Sequence, residues 1–201
     1  RDVHQGIESK VDYFKELGVD LLYLNPITCS RTVHRFDSTD FFHVDEKLGG
    51  DKALISLIDT MHKNGIKVIV DISINHTSSD SPWLKKALED RKSIYNSFYV
   101  IDENGRPRFW QGVTTLVQLN YKSHTLRGRI YSDYDSALKK FLRPPFNQDG
   151  WRLDVAPEVA RYDDIQLCQE IWRDVRKNLK SVKEDCYLVA EEWDDASDYL
   201  R

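Results

Sequence analysis

The sequence predicts an α/β fold built on a parallel sheet. Three observations predict it. Apolar residues at helical spacing alternate along the chain with short apolar runs of strand length. One run, Ile66-Lys67-Val68-Ile69-Val70-Asp71-Ile72, is apolar at nearly every position, as a parallel strand buried on both faces is. Polar groups then collect at the C-terminal ends of these runs, the edge where parallel α/β sheets and (β/α)8 barrels build their sites.

Taken in order, Ile7, Val11, Phe14 and Leu17 mark a first helix stopped by Gly18. Val19 to Pro26 is a buried strand ended by proline. A polar loop from Thr28 to Asp45 carries His34, Phe36, Asp37 and Asp40. Leu54, Leu57, Ile58 and Met61 mark the second helix, closed by Asn64-Gly65, and the Ile66–Ile72 strand empties into Ser73-Ile74-Asn75-His76. From Thr77 to Asn120 the alternation breaks. Apart from a short helix over Trp83–Leu88, this stretch is turn-rich and aromatic, and an irregular insertion of that length is usually functional or a small subdomain. Leu126, Ile130, Tyr134, Leu138 and Phe141 predict one amphipathic helix, halted at Pro144-Pro145. In Gly150 to Ala156, strand alternation sends Trp151, Leu153 and Val155 to one face and Arg152, Asp154 and Ala156 to the other. A helix over Ile165–Leu179 and a strand over Cys186–Ala190, ending in Glu191-Glu192-Trp193, complete the pattern.

Composition excludes several classes. The 201 residues are 40% hydrophobic and 31% charged, as ordinary globular chains are, and enough for a sizeable core. A net charge of −4 without a basic cluster argues against a nucleic-acid partner. No apolar run approaches membrane-spanning length, so no membrane partner is expected. Cys29, Cys168 and Cys186 have no metal spacing, and an odd, scattered set favours a reducing, cytoplasmic setting.

Asn25, Asp71, Asn75 with His76, Arg152 with Asp154, and Glu191 all fall at or just past strand ends. Any one of them alone reads equally as a cap or a solvated strand end; several on one rim read as a site. Arg152 lies two residues before Asp154 and on its face, where a guanidinium holds a carboxylate ionised and oriented. A structural Arg–Asp pair would show the same spacing. Asp154 and Glu191 on neighbouring strands are the paired carboxylates of a glycosidase, one ionised and one with a raised pKa. The Gly-rich phosphate loop, the dinucleotide fingerprint and the Cys/His metal cluster are all missing. Glu192 points away from Glu191 and reads as paired or solvated.

Asp71-Ile72-Ser73-Ile74-Asn75-His76 resembles the first short motif of the alpha-amylase family, DVVxNH. Gly150 to Ala156 resembles its second, GxRxD, and Ala190-Glu191-Glu192-Trp193 its third, in the same order and spacing. Leu116-Val117-Gln118-Leu119-Asn120 is similar to the MPKLN motif of the neopullulanase and cyclomaltodextrinase branch, with Val117 in place of Pro. Asp154-Val155-Ala156-Pro157-Glu158 is similar to that branch's DVANE, and Trp110-Gln111-Gly112 resembles maltodextrin glucosidases of the same branch. The resemblance implies a partial (β/α)8 TIM barrel, about strands 2 to 5, with a small irregular domain B inserted after the third strand. Barrel would then occupy 1–76 and 121–201, and domain B 77–120.

The resemblance also implies roles. Asp154 is the nucleophile, and Glu191 the general acid and then base. Arg152 positions Asp154, Asp71 supports the site, and His76 binds a sugar hydroxyl. Phe36 stands where the family has a tyrosine under the sugar ring, and Trp193 is a substrate-binding position after the acid. No cofactor is required for the chemistry; Asn75 is a calcium ligand in many amylases, so calcium is an optional expectation. The expected partner is an alpha-glucan oligosaccharide, with the parent a homodimer. The family's fourth motif, which supplies the transition-state-stabilising carboxylate, has no match, and the first barrel strand is expected upstream of Arg1. The isolated chain is therefore expected to be inactive and its parent a retaining hydrolase of maltodextrins, cyclodextrins or pullulan. The alternatives are a transglycosylase or isomerase using the same Asp/Glu pair, and a non-catalytic relative.

Overall fold

A computed structural model describes residues 2–199. The chain opens with two short helices, α1 (Val3–Glu8) and α2 (Val11–Glu16), where the sequence pattern predicts one. The first stops because the Ser9 hydroxyl bonds back to the Gly6 carbonyl at 2.8 Å, competing with helix continuation. The i, i+4, i+7 spacing survives the break because Ile7, Val11 and Phe14 still pack against one core.

Strand β1 (Leu21–Leu24) follows, then α3 (Gly50–Lys63), which buries Leu54, Leu57, Ile58 and Met61 completely. Each such side chain contributes roughly 1.5–3 kcal/mol relative to exposure. Strand β2 (Lys67–Ile72) leads into the insertion, which comprises β3 (His76–Ser78), α4 (Pro82–Glu89) and β4 (Leu116–Gln118). Ser81 caps α4 by accepting from the Trp83 amide, with Pro82 at the first helical position where its missing N–H costs nothing.

The predicted helix over residues 126–141 is broken. It becomes α5 (His124–Arg127), one π-helical turn at Gly128–Ser132, and α6 (Ala137–Leu142). The wide turn closes through the Asp133 amide to the Gly128 carbonyl at 3.0 Å. Tyr134, expected on the apolar face, is consequently 78% exposed, and Tyr131 is buried instead.

Strand β5 spans Gly150–Leu153, shorter than the predicted Gly150–Ala156, because Val155 takes a left-handed conformation with φ 43°. The helix predicted from Ile165 starts three residues later. Ile165 instead belongs to a small hairpin of β6 (Arg161–Tyr162) and β7 (Ile165–Gln166), followed by α7 (Cys168–Lys180) and β8 (Tyr187–Ala190).

Strands β1, β2, β5 and β8 form one parallel sheet in that order, as the βα alternation predicts. Val68, Val70, Ile72, Trp151 and Leu153 face the helices and form the core. The opposite face carries Tyr23, Asp71, Arg152, Tyr187 and Val189. Between β5 and β8 the backbones approach closely at Gly150, where a β-carbon would lie 2.0 Å from the Tyr187 carbonyl oxygen. The insertion sheet, β3 with β4, is antiparallel and sits at the C-terminal end of β2. Among the described residues no helix is long and apolar enough to cross a membrane.

Candidate active site

Parallel register aligns Asp71 of β2 with Arg152 of β5 and Val189 of β8, so the residues just beyond, Asp154 and Glu191, emerge side by side. The ladder continues into them: the Asp154 amide donates to the Ile72 carbonyl and the Glu191 amide to the Leu153 carbonyl, both at 3.0 Å. Arg152 ties the cluster together. Its Nη1 lies 2.8 Å from Asp71 Oδ2 and 2.9 Å from Asp154 Oδ1, and its Nη2 lies 2.9 Å from Glu191 Oε1. A planar fork with several donors suits three carboxylates as one ammonium would not. The left-handed turn at Val155 aims its amide at Glu191 Oε2, 2.8 Å away. Asp154 and Glu191 thus share one guanidinium.

Three carboxylates around one guanidinium cannot all be equally acidic. Burial, with Asp71 and Glu191 beside it, pushes Asp154 up to about 7. Burial also pushes Glu191 up, but the Val155 amide, Trp193 and Arg152 outweigh it and hold Glu191 below its ordinary value. Burial raises Asp71 against the opposing bonds from Tyr23 and Arg152. Their surroundings therefore favour the resting proton on Asp154 and disfavour it on Glu191, the reverse of the expected division of labour. The cause is local: the Val155 amide stabilises ionised Glu191, and Asp154 is the more buried of the two.

A residue missed by sequence reasoning completes the group. The Tyr23 hydroxyl of β1 donates to Asp71 Oδ2. Burial and that bond raise the phenol to about 12. Its signal was present: Tyr23 shares a strand face with Asn25, but an aromatic inside an apolar run reads as core.

His76 stacks on Trp110 from the insertion, with centroids 5.6 Å apart and an interplanar angle of 27°. Burial lowers the imidazole to about 4, so it is neutral at neutral pH. His76 Nε2, Trp110 Nε1 and Asp71 Oδ1 are buried without hydrogen-bond partners among the described residues. Such atoms at a rim are the places a polyhydroxylated ligand would satisfy. Phe36 is half-buried and stacks on His34 at 5.9 Å, in the loop that faces His76. Trp193, 55% exposed, reaches back to the Glu191 carboxyl. Glu192 turns away, its Oε1 accepting the Trp193 and Asp194 amides at 3.0 and 3.1 Å. Asn25 is exposed at the rim.

Residues 3–201 match the family model described as alpha amylase, catalytic domain. The chain belongs to the alpha-amylase family. It is 34% identical over 220 residues to an amylopullulanase of Thermoanaerobacter thermohydrosulfuricus, covering 96% of this chain and 14% of that one. It is 32% identical over 203 residues to a cyclomaltodextrinase of Thermoanaerobacter pseudethanolicus, covering 98% of this chain and 34% of that one. Among solved structures, a debranching enzyme from Nostoc punctiforme superposes with a TM-score of 0.83 at 28% identity, over 96% of this chain and 39% of that one. This alpha-amylase-family chain thus spans about a third or less of the length of the curated relatives just named, and its four-stranded parallel sheet is part of the family's barrel.

Asn75 is the residue on which a calcium ion would be expected. Asn75 Oδ1 already accepts Gln118 Nε2 at 2.9 Å, and among the described residues no group of three or more His, Cys, Asp or Glu is placed to hold a metal ion.

Proposed function

We propose that the protein carrying this chain is a retaining alpha-glucan hydrolase in which Asp154 attacks and Glu191 transfers protons. The observation that carries this reading is the single Arg152 guanidinium spanning Asp71, Asp154 and Glu191. Two carboxyls that each bind the one guanidinium at 2.9 Å stand close together, which supports retention over inversion, whose carboxyls stand about 6.5–9.5 Å apart. The relatives named amylopullulanase and cyclomaltodextrinase support a substrate of alpha-linked glucose units.

In the first step an Asp154 oxygen bonds to the anomeric carbon while the bond from that carbon to the leaving oxygen breaks. Glu191 gives its proton to the leaving oxygen. In the second step Glu191 takes a proton from water, the water oxygen bonds to the anomeric carbon, and the ester to Asp154 breaks. The first step begins from a pair holding one proton, on Glu191. The second begins with Asp154 esterified and Glu191 ionised, ready to take the proton of the attacking water. Arg152 orients the nucleophile, and neutral His76, whose Nδ1 faces the Asn75 NH2 group, is left to donate from Nε2 to a sugar hydroxyl.

The test is the anomeric configuration of the first product of the full-length protein acting on maltotriose, followed by NMR. Retention, with Asp154→Asn and Glu191→Gln each abolishing turnover, is the expected result. Inversion, or turnover that survives Asp154→Asn, overturns the assignment.

A further inference from the structure

A buried amide ties the far strand of the insertion to the segment that leaves β2. Register places Gln118 of β4 opposite His76 of β3. The Gln118 side chain, 1% exposed, donates through Nε2 to both oxygens of Asn75: 2.9 Å to Oδ1 and 3.2 Å to the main-chain carbonyl. The Leu119 amide reaches the same carbonyl at 3.1 Å. A main-chain carbonyl can only accept, so Gln118 must present its NH2 group there, and Asn75 must turn Oδ1 toward it. That leaves Asn75 Nδ2 against His76 Nδ1 at 3.2 Å. Two further bonds run alongside, from the Tyr121 hydroxyl to the Ile74 carbonyl at 2.6 Å and between the Thr77 and Tyr99 hydroxyls at 2.9 Å.

We propose that Gln118 is a metal-free strut, fastening the insertion to the sheet at the position where Asn75 would otherwise ligate a cation. Calcium needs six to eight oxygen ligands at about 2.3–2.6 Å. Here the Asn75 main-chain carbonyl accepts two N–H groups and has no lone pair left for a cation, and Gln118 takes one of the two lone pairs of Oδ1. Asn75 is wholly buried, and its hydrogen bonds are satisfied by protein groups alone. The strut also fixes the neighbour of Asn75, His76, on which Trp110 stacks. Its role is positional and independent of which reaction the site performs.

The test is the thermal midpoint of the full-length protein in EDTA and in excess calcium chloride, for wild type, Asn75→Ser and Gln118→Leu. Any calcium response should be the same in wild type and Asn75→Ser. Gln118→Leu should lower the midpoint by about 2–6 °C in both buffers, because it orphans buried acceptors. A calcium-induced rise that vanishes in Asn75→Ser overturns the proposal, as does a Gln118→Leu midpoint equal to wild type. If Gln118→Leu does not fold, Gln118→Glu decides. A carboxylate facing two oxygens should lower the midpoint in EDTA, with part of the loss recovered in calcium; a Gln118→Glu protein as stable in EDTA as wild type overturns the strut.

Discussion

Arg152 Nη1 stands 2.9 Å from Asp154 Oδ1, and the same nitrogen is shared with Asp71 at 2.8 Å. Asp154 is thereby held through a guanidinium whose other nitrogen is committed to Glu191. Arg152→Lys keeps the charge but not the fork, so it cannot reach three carboxylates in one plane. The expected result in the full-length protein is a fall in kcat of about 10²–10³-fold with a much smaller change in KM, measured by steady-state kinetics on a maltooligosaccharide.

The shared proton predicts the pH profile. Glu191 is held below its ordinary value and Asp154 is raised to about 7. Between those limits the pair holds one proton, which the reaction needs; above about 7 it holds none. The ratio kcat/KM should therefore describe a bell with its alkaline limb near pH 7. Activity that stays level to pH 9 would show that the proton is held by other groups.

The same shift makes Asp154 a cost to the fold. Its folded value lies above the ordinary 3.8, so the charge is disfavoured by folding. Below about pH 4 the carboxyl is protonated in both states and costs nothing; as pH rises toward 7 the penalty grows. Asp154→Asn should raise the thermal midpoint at pH 7.5, and the gain should shrink as pH falls to 4. A constant gain across that range would point to packing instead.

Tyr23→Phe removes the hydroxyl that donates to Asp71. Asp71 then binds a proton more readily, and a neutral Asp71 no longer raises Asp154. The alkaline limb should move to lower pH, with kcat reduced about tenfold and KM little changed. A lost hydroxyl that served packing alone would leave the limb in place.

Much of this was legible because strands end abruptly. Asp71 stands one residue before the end of an apolar run, and Asp154 and Glu191 each follow a strand, so their positions follow from alternation alone. Register then aligned them, as parallel pairing must. What alternation could not carry was contact across long separations: Gln118 meets Asn75 43 residues away, and Tyr23 meets Asp71 48 residues away. The helix over 126–141 misled for a different reason. A π turn inserts one residue per turn, so the four-residue spacing from Leu126 to Ile130 reads through the break unchanged. The location of the resting proton was hidden too, because it depends on the amide of Val155, whose left-handed backbone no β-branched residue advertises.

The gap at Gly150 has a consequence for how damage to this protein would be recognised. Strands β5 and β8 deliver Asp154 and Glu191, and they can lie side by side only because position 150 has no side chain to strike the Tyr187 carbonyl. An alanine there would wedge the strands apart four residues below Asp154 without touching a charged group. A survey that ranked positions by their functional atoms would place Gly150 last; one that ranked them by what a single methyl group destroys would place it beside Asp154 and Glu191.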